Sequence, residues 1–115
     1  MTLDFFRNHC LQFKGVTEEL PFDANTLVFK VLGKMFALTD LETFENVNLK
    51  CDPEKAIELR ERYDCVKPGY HMNKKHWNTI EVNQDMSDAE LLEWVRHSYD
   101  LVVASLPKKD REQLL

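Results

Sequence analysis

The 115-residue chain has few of the residues from which several common sites are built. Its three glycines, Gly15, Gly33 and Gly69, lie far apart, so the sequence contains no glycine-rich loop that could cradle a phosphate. Its three cysteines form no CxxC pair, and their separations from the histidines match no standard zinc pattern. No apolar run approaches the roughly 18 residues that cross a bilayer. We therefore expect no metal, no cofactor and no membrane partner.

The cysteines and the first residues of the chain indicate a compartment. Cys10, Cys51 and Cys65 are odd in number and widely spaced, which is unlike a disulfide framework. The first ten residues, MTLDFFRNHC, lack the basic segment and the following apolar segment of a secretory signal. Together these features favour reduced thiols in a cytoplasmic protein. A chain of this length is expected to form one domain, residues 1–115, since domains are commonest at about 100–150 residues.

One stretch, Val66–Val82, differs in charge from the rest of the chain. It reads VKPGYHMNKKHWNTIEV, and from Val66 to Thr79 it contains no Asp or Glu. Lys67, Lys74 and Lys75 give that segment +3, so the net −5 of the whole chain leaves −8 for the remainder. The acidic balance argues against indiscriminate coating of nucleic acid but permits a focused site. A basic patch on an acidic protein requires a local explanation.

Periodicity and capping residues predict the regular elements. Three helices are expected to begin after Thr2, Asp52 and Ser87, each of which can cap a helix that has apolar residues at helical spacing. Alternating or β-rich runs predict four strands. They cover Thr26–Leu32, Met35–Thr39, Asn46–Cys51 and Trp77–Val82.

The connections between these elements set the predicted fold class. We expect Gly33-Lys34 to form a type II′ turn, which joins the first two strands into a hairpin. Val16–Asn25 is expected to be a loop, because Pro21 blocks regular structure, and the chain after Pro107 is expected to be loose. Strands joined by short turns predict a two-layer α+β domain, with a mainly antiparallel sheet covered on one face by helices.

Several motifs, taken in order, resemble a known family. They are LVFKVLGKMFAL at 27–38, LKCDPE at 49–54, PGYHMNKKHW at 68–77 and SYDLV at 98–102. In this order they resemble the MmcQ/YjbR-like family of small bacterial proteins, from the first helix to the last. The resemblance implies a CyaY-like fold of the YjbR type and DNA binding through a "double wing" of projecting hairpins. Carried onto this chain, one wing is the hairpin around Lys30, Gly33 and Lys34, and the other is the loop from His71 to Trp77.

The candidate DNA-binding residues follow from the basic stretch and from this resemblance. Lysines can neutralise phosphates, His and Asn can hydrogen-bond to backbone or base edges, and an aromatic ring can stack on an unpaired base. These candidates are Lys30, Lys34, Lys67, His71, Asn73, Lys74, Lys75, His76 and Trp77. Packing is the alternative interpretation for Trp77 and Tyr70, and for Trp77 it is the favoured one, because a large aromatic residue that opens a strand usually packs.

A second hypothesis comes from a different class of function. In it the protein is a non-enzymatic module that binds a protein or a small ligand, and Tyr70, His71, His76 and Trp77 rim a pocket for an acidic or aromatic partner. The two hypotheses differ in salt sensitivity, because only DNA binding must weaken steeply as salt rises.

We do not expect an enzyme. His97 and Ser98 are adjacent on a predicted helix, so they point about 100° apart and cannot act as base and nucleophile on one substrate. A role for Ser98 in packing on the sheet is the simpler interpretation. Arg60 and Arg62 are interleaved with glutamates, which is typical of a solvated helix face.

Overall fold

Four helices and six strands follow one another along the chain. The computed structural model of the protein describes all 115 residues. The elements are α1 (Leu3–Leu11), β1 (Val16–Glu19), β2 (Thr26–Val31), β3 (Lys34–Asp40), β4 (Asn46–Lys50), α2 (Pro53–Arg62), β5 (Val66–Pro68), β6 (Trp77–Glu81), α3 (Asp88–Ser105) and α4 (Lys108–Glu112). The strands form one sheet in the order β1-β2-β3-β4-β6-β5, and every neighbouring pair is antiparallel. None of the helices combines the length and the apolar content that a membrane crossing requires.

The three predicted helix starts are confirmed by their capping hydrogen bonds. The Thr2 hydroxyl accepts a hydrogen bond from the Phe5 N–H, and the Asp52 carboxylate accepts one from the Lys55 N–H. The Ser87 hydroxyl caps α3 through the Glu90 N–H. Each cap satisfies a donor that has no partner inside the helix.

The helices cover one face of the sheet, as predicted. The main core lies on that face and joins strand residues such as Phe29 and Val47 to Phe6 of α1, Leu59 of α2 and Val95 of α3. The opposite face, which we call the open face, carries no helix. A second, smaller apolar cluster lies on it and is formed by Val28, Leu38 and Trp77, with Met35 and Met72 packed against them. This two-layer α+β arrangement confirms the predicted fold class.

The prediction of a loop over Val16–Asn25 is wrong for the first part of that segment. Val16–Glu19 forms the edge strand β1, which pairs with β2. Its sequence, VTEE, is dominated by charge, yet Glu18 accepts hydrogen bonds from Arg7 of α1 and Glu19 pairs with Lys30 of β2 at 2.8 Å. These long-range ion pairs make an acidic edge strand stable.

The hairpin turn lies one residue earlier than predicted. Val31 pairs with Lys34, so the two loop residues are Leu32 and Gly33, with φ of +46° and +86°. Positive φ at both positions is the requirement of a type I′ turn, which follows the natural twist of a hairpin. Leucine rarely adopts positive φ, and for this reason the sequence pointed to a turn at Gly33-Lys34 instead.

The C-terminal tail is ordered rather than loose. It forms the short helix α4, after which Leu114 packs against the core beside Leu32. The Lys14 ammonium donates to the Leu115 carbonyl oxygen at 3.0 Å, and this fixes the last residue next to the start of β1.

A buried serine of α3 hydrogen-bonds to a β-bulge in the sheet. Phe29 pairs with Ala37 and Lys30 with Met35, so Phe36 is an extra residue in β3 with no partner on β2. The Ser98 hydroxyl, which is fully buried, donates to the Phe36 carbonyl oxygen at 2.5 Å and accepts from the Lys50 N–H at 2.9 Å. The packing role expected for Ser98 is confirmed.

We predict that Ser98→Ala lowers the free energy of unfolding by about 2–3 kcal/mol, because it leaves a buried donor and a buried acceptor without partners. Ser105→Ala is the matched control, since Ser105 is an exposed residue of the same helix whose hydroxyl bonds only to the Val102 carbonyl oxygen. The control should cost less than about 0.5 kcal/mol. Urea denaturation of both variants checks the prediction, and equal losses would contradict it.

Candidate nucleic-acid interface

The two predicted wings emerge at the same end of the sheet. The Leu32–Gly33 turn joins β2 to β3, and the loop Gly69–His76 joins β5 to β6. Ala37 pairs with Leu49 and Lys50 pairs with Trp77, so β3 begins where β4 ends and where β6 begins. At about 4.8 Å per strand, three strand spacings separate the two hairpins by roughly 14 Å. We call this end of the molecule the basic end.

The first projection carries one free lysine. Lys34 begins β3 directly after the turn and is exposed. Lys30 is only partly exposed, and its ammonium lies 2.8 Å from the Glu19 carboxylate, which compensates its charge. Of the two, Lys34 is therefore the one that can meet an anion without first losing a partner.

The second projection is shaped by Asn73. The Asn73 carboxamide oxygen accepts from the N–H groups of Lys75, at 2.9 Å, and His76, at 3.3 Å, and so closes a local turn. Lys74 and Lys75 are exposed on this turn, and the Lys74 ammonium also donates to the Gly69 carbonyl oxygen at 3.1 Å. The loop thus presents two neighbouring cations on a defined backbone.

Arg60 of α2 holds the loop from below, a role that sequence reasoning missed. Its guanidinium donates to the carbonyl oxygens of Lys74 and Trp77, and its Nε donates to the buried Asn78 Oδ1 at 2.7 Å. The Asn78 Nδ2 in turn donates to the Ala56 carbonyl oxygen at 3.3 Å. No pattern in the sequence joins Arg60 to residues so far along the chain, and its glutamate neighbours suggested a purely solvated face.

The aromatic residues of the stretch have opposite environments. Trp77 is only 8% exposed and packs with Val28 and Leu38, so its indole anchors the base of the loop and is not presented to a nucleic-acid base. Gly69 allows the start of the loop to lie close to Trp77, because a Cβ at position 69 would be only 2.8 Å from the Trp77 Cβ. Tyr70, in contrast, is 71% exposed and its ring centroid lies 4.1 Å from that of His71.

The remaining candidates lie in different settings. His76 is half-buried, and His71 is exposed with a φ of +58°. Lys67 pairs with Thr79 on the open face, where it lines a cavity together with Glu45 and Glu81. The structure therefore brings Lys34, Lys74 and Lys75 to one end and places Lys67 on an adjoining surface.

Charge is segregated between the two ends of the sheet, and this explains how an acidic protein can have a basic site. Other basic residues near the basic end are Lys14, Lys50, Lys55, Lys108, Lys109 and Arg111. The acids that share this end are Asp52, Glu54, Asp100, Asp110 and Glu112, of which Asp100 is paired with Arg96 at 3.0 Å. Around the far ends of β3 and β6 and in the loops beside them are Asp23, Asp40, Glu42, Glu45, Glu81, Asp85 and Asp88. The net charge of −5 is therefore the sum over two ends of unlike charge.

His97 and Ser98 both have structural partners. Ser98 bridges Phe36 and Lys50, as described above. The His97 Nε2 accepts a hydrogen bond from the Asp52 N–H at 3.2 Å, and burial lowers the pKa of this histidine. Cys51, Cys65, His71 and His76 belong to no group of three or more ligand-type side chains that could hold a metal ion.

The burial of His97 predicts a pH dependence of stability. In the unfolded chain His97 takes up its proton near 6.5, whereas the folded protein resists protonation, so the free energy of unfolding should fall as the pH falls from 6.5 through the lower folded pKa. His97→Gln keeps an acceptor for the Asp52 N–H and removes the titration, so its stability should change less between pH 7.5 and 5. Urea midpoints at both pH values test this.

His9→Gln is the comparison variant, because burial also lowers the pKa of His9. That variant should lose only the share of the pH dependence that His9 contributes. An unchanged pH dependence in His97→Gln would show that the buried His97 does not contribute to it.

We predict that Arg60→Lys makes the Gly69–His76 loop more mobile without changing the charge of the protein. A lysine ammonium cannot reproduce the planar fork that reaches Asn78 and the Lys74 carbonyl oxygen together. Amide hydrogen exchange at His76 and Trp77 should therefore become faster. Arg62→Lys is the matched control, since the Arg62 guanidinium is 69% exposed and lies 3.8 Å from its nearest acid, Glu90. Equal exchange rates in the two variants would show that the Arg60 guanidinium does not hold the Gly69–His76 loop in place.

Comparison with known proteins places this geometry in a family. The family model described as YjbR matches residues 11–101 of the chain. The protein YbdF of Escherichia coli O157:H7 is 40% identical over 95 residues, which are 82% of this chain and 78% of YbdF. The protein YjbR of Escherichia coli K12 is 30% identical over 116 residues, which cover 100% of this chain and 98% of YjbR.

Solved structures agree with the sequence comparisons. The crystal structure of Deinococcus radiodurans protein DR2400 superposes with a TM-score of 0.90 at 41% identity, over 98% of this chain and 87% of that chain. A Pseudomonas syringae protein, at 23% identity, shares the fold with a TM-score of 0.74 over 88% of this chain and 98% of that chain. From the family model and from relatives matched over most of their length, we conclude that this chain belongs to the YjbR family.

Proposed function

We propose that the protein is a cytoplasmic, non-enzymatic DNA-binding protein that grips duplex DNA with the basic end of its sheet. In this proposal Lys34 on the β2–β3 turn and Lys74 and Lys75 on the Gly69–His76 loop contact phosphates. The observation that carries it is the shared position of the two projections. Both emerge at one end of the sheet with exposed lysines, while a concentration of acids lies at the other end.

The dimensions suit contact with two phosphate rows. The separation of roughly 14 Å between the projections is close to the width of a major groove, about 12 Å, so each projection can approach one wall of the groove. His71 and His76 lie beside the lysines and supply further hydrogen-bonding groups. The Asn73 carboxamide nitrogen has no partner within the protein, so it remains free to donate although the oxygen of the same group shapes the loop.

The energetics imply modest and salt-dependent binding. Three lysines displace few counterions, and each phosphate contact contributes about 0.9 to the slope of log affinity against log salt. Nothing in this arrangement requires a preferred base sequence, because phosphate contacts position a protein on DNA without reading it. Arg60 supports the interface indirectly by fixing the carbonyl groups of the loop.

The test is fluorescence anisotropy of a labelled random duplex at about 50 and 200 mM salt. The wild-type protein should bind saturably at the lower salt and lose most of its affinity at the higher. Lys34→Glu combined with Lys75→Glu should weaken binding by about tenfold or more and lower the salt slope by about 2. This pair takes one lysine from each projection and spares Lys74, whose ammonium also bonds within the loop.

Arg62→Glu combined with Arg96→Glu is the matched control. It changes the net charge by the same amount, and both arginines are exposed residues of helices on the covered face. If the control weakens binding as much as the lysine pair, the attraction depends on net charge alone and the assignment to the basic end fails. If the wild-type protein does not bind at either salt, the proposed function itself is wrong.

A further inference from the structure

A cavity of about 800 Å³ lies on the open face of the sheet, at the acidic side of the molecule. Strands β3 and β4 form its floor with Leu38 and Asn48, and the segment before β2 forms one wall with Phe22. The opposite wall is the Gly69–His76 loop, through Tyr70 and Met72. This volume falls within the range of about 300–1,000 Å³ that is usual for small-molecule sites.

The two walls of the cavity each carry an exposed aromatic side chain. Phe22 is 64% exposed and Tyr70 is 71% exposed, although large aromatic side chains are usually covered. Both line the cavity, from loops on its two sides, and Leu38 and Met72 add apolar surface between them. Two exposed aromatic rings that border one apolar cavity are a pattern typical of ligand sites rather than of bare surface.

The charge of the cavity selects the ligand. Glu45 lines it, and the Glu45 carboxylate makes no hydrogen bond or ion pair within the protein. Asp40 also lines it, although its carboxylate already accepts from the N–H groups of Glu42 and Thr43. His71 is the one basic-type side chain on the lining. A free carboxylate with so little compensating charge attracts a cation and repels an anion.

A second cavity, of about 650 Å³, extends the site and also favours a ligand of positive charge. The two cavities share Glu45, Asn46 and Tyr70, so Glu45 stands at the junction between them. The second cavity adds one acid, Glu81, and one base, Lys67. The two cavities together are therefore lined by more acidic than basic side chains.

We propose that this cavity binds a small organic cation with an aromatic or alkyl body. The ammonium or guanidinium group lies at Glu45, and the apolar body lies between Phe22 and Tyr70. The lysines proposed to contact phosphates do not line this cavity, although the loop that carries Lys74 and Lys75 forms one of its walls, and the cavity takes a ligand of opposite charge to DNA. Its test therefore stands whether or not the protein binds DNA.

The experiment uses three indole compounds that differ in charge and little else: tryptamine, tryptophol and indole-3-propionate. Each is titrated into the full-length protein and followed by amide chemical shifts. Tryptamine should bind in the low millimolar range, which is usual for a ligand of about twelve heavy atoms. Tryptophol should bind more weakly and indole-3-propionate most weakly, and the shifts should centre on Leu38, Asn48 and Tyr70.

Glu45→Gln separates charge from shape. It should weaken tryptamine binding by about two- to fivefold, the size expected of one exposed ion pair, and leave tryptophol binding unchanged. Glu42→Gln is the matched control, because Glu42 is an exposed residue of the same β3–β4 turn that does not line either cavity. It should leave the binding of both compounds unchanged.

Three results overturn the proposal: equal binding of the three compounds, shifts that centre away from the cavity, or no saturable binding of tryptamine. The order of affinities is measured on the wild-type protein, so the decision stands even if Glu45→Gln does not fold.

Discussion

The structure depends on the fact that helices cover only one face of the sheet. Burial of Phe6, Phe29, Phe36 and Val95 on that face forms the main core. It leaves Val28, Leu38 and Trp77 on the other face without a helix to shield them. The chain meets this requirement with the Gly69–His76 loop, which begins at the close contact of Gly69 with Trp77 and lays Met72 over the small cluster. The contacts of Gly69 and Met72 with this cluster therefore help to set where the loop lies on the sheet.

One loop therefore has three roles. Met72 covers apolar surface, Lys74 and Lys75 project from the end of the sheet, and Tyr70 and His71 border the cavity on the open face. Arg60 reaches the same loop from the helical side, so the loop is held from both layers of the fold. A ligand in the cavity would touch the segment that carries the proposed DNA contacts, and this provides a physical route by which occupancy of one site can influence the other.

The sequence was informative where local chemistry decides the structure. The caps at Thr2, Asp52 and Ser87 and the burial of alternate residues in β4 follow from residues a few positions apart. It was misleading where distant residues decide. The acidic strand β1 is stable because Arg7 and Lys30 compensate Glu18 and Glu19, and no local pattern contains that information. The turn at Leu32 requires a conformation that leucine seldom adopts.

The candidate site shows the same division. Composition identified the basic stretch and the resemblance paired it with the β2–β3 hairpin. Only the strand register shows that the two share an end of the sheet. The clamp by Arg60, the burial of Trp77 and the exposure of Tyr70 depend on contacts between elements far apart in sequence.

The separation of basic and acidic ends has a consequence for the kinetics of encounter. A molecule with a net charge of −5 is repelled by a polyanion at long range, whereas its dipole favours approach with the basic end leading. In the proposed binding mode, collisions in most orientations would be unproductive, and the protein would have to rotate into alignment within about one Debye length, roughly 10 Å at 0.1 M salt. Lower ionic strength strengthens both the repulsion and the torque, so the association rate need not rise steadily as salt is removed. For the proposed binding mode, the association rate is therefore expected to be highest at an intermediate salt concentration.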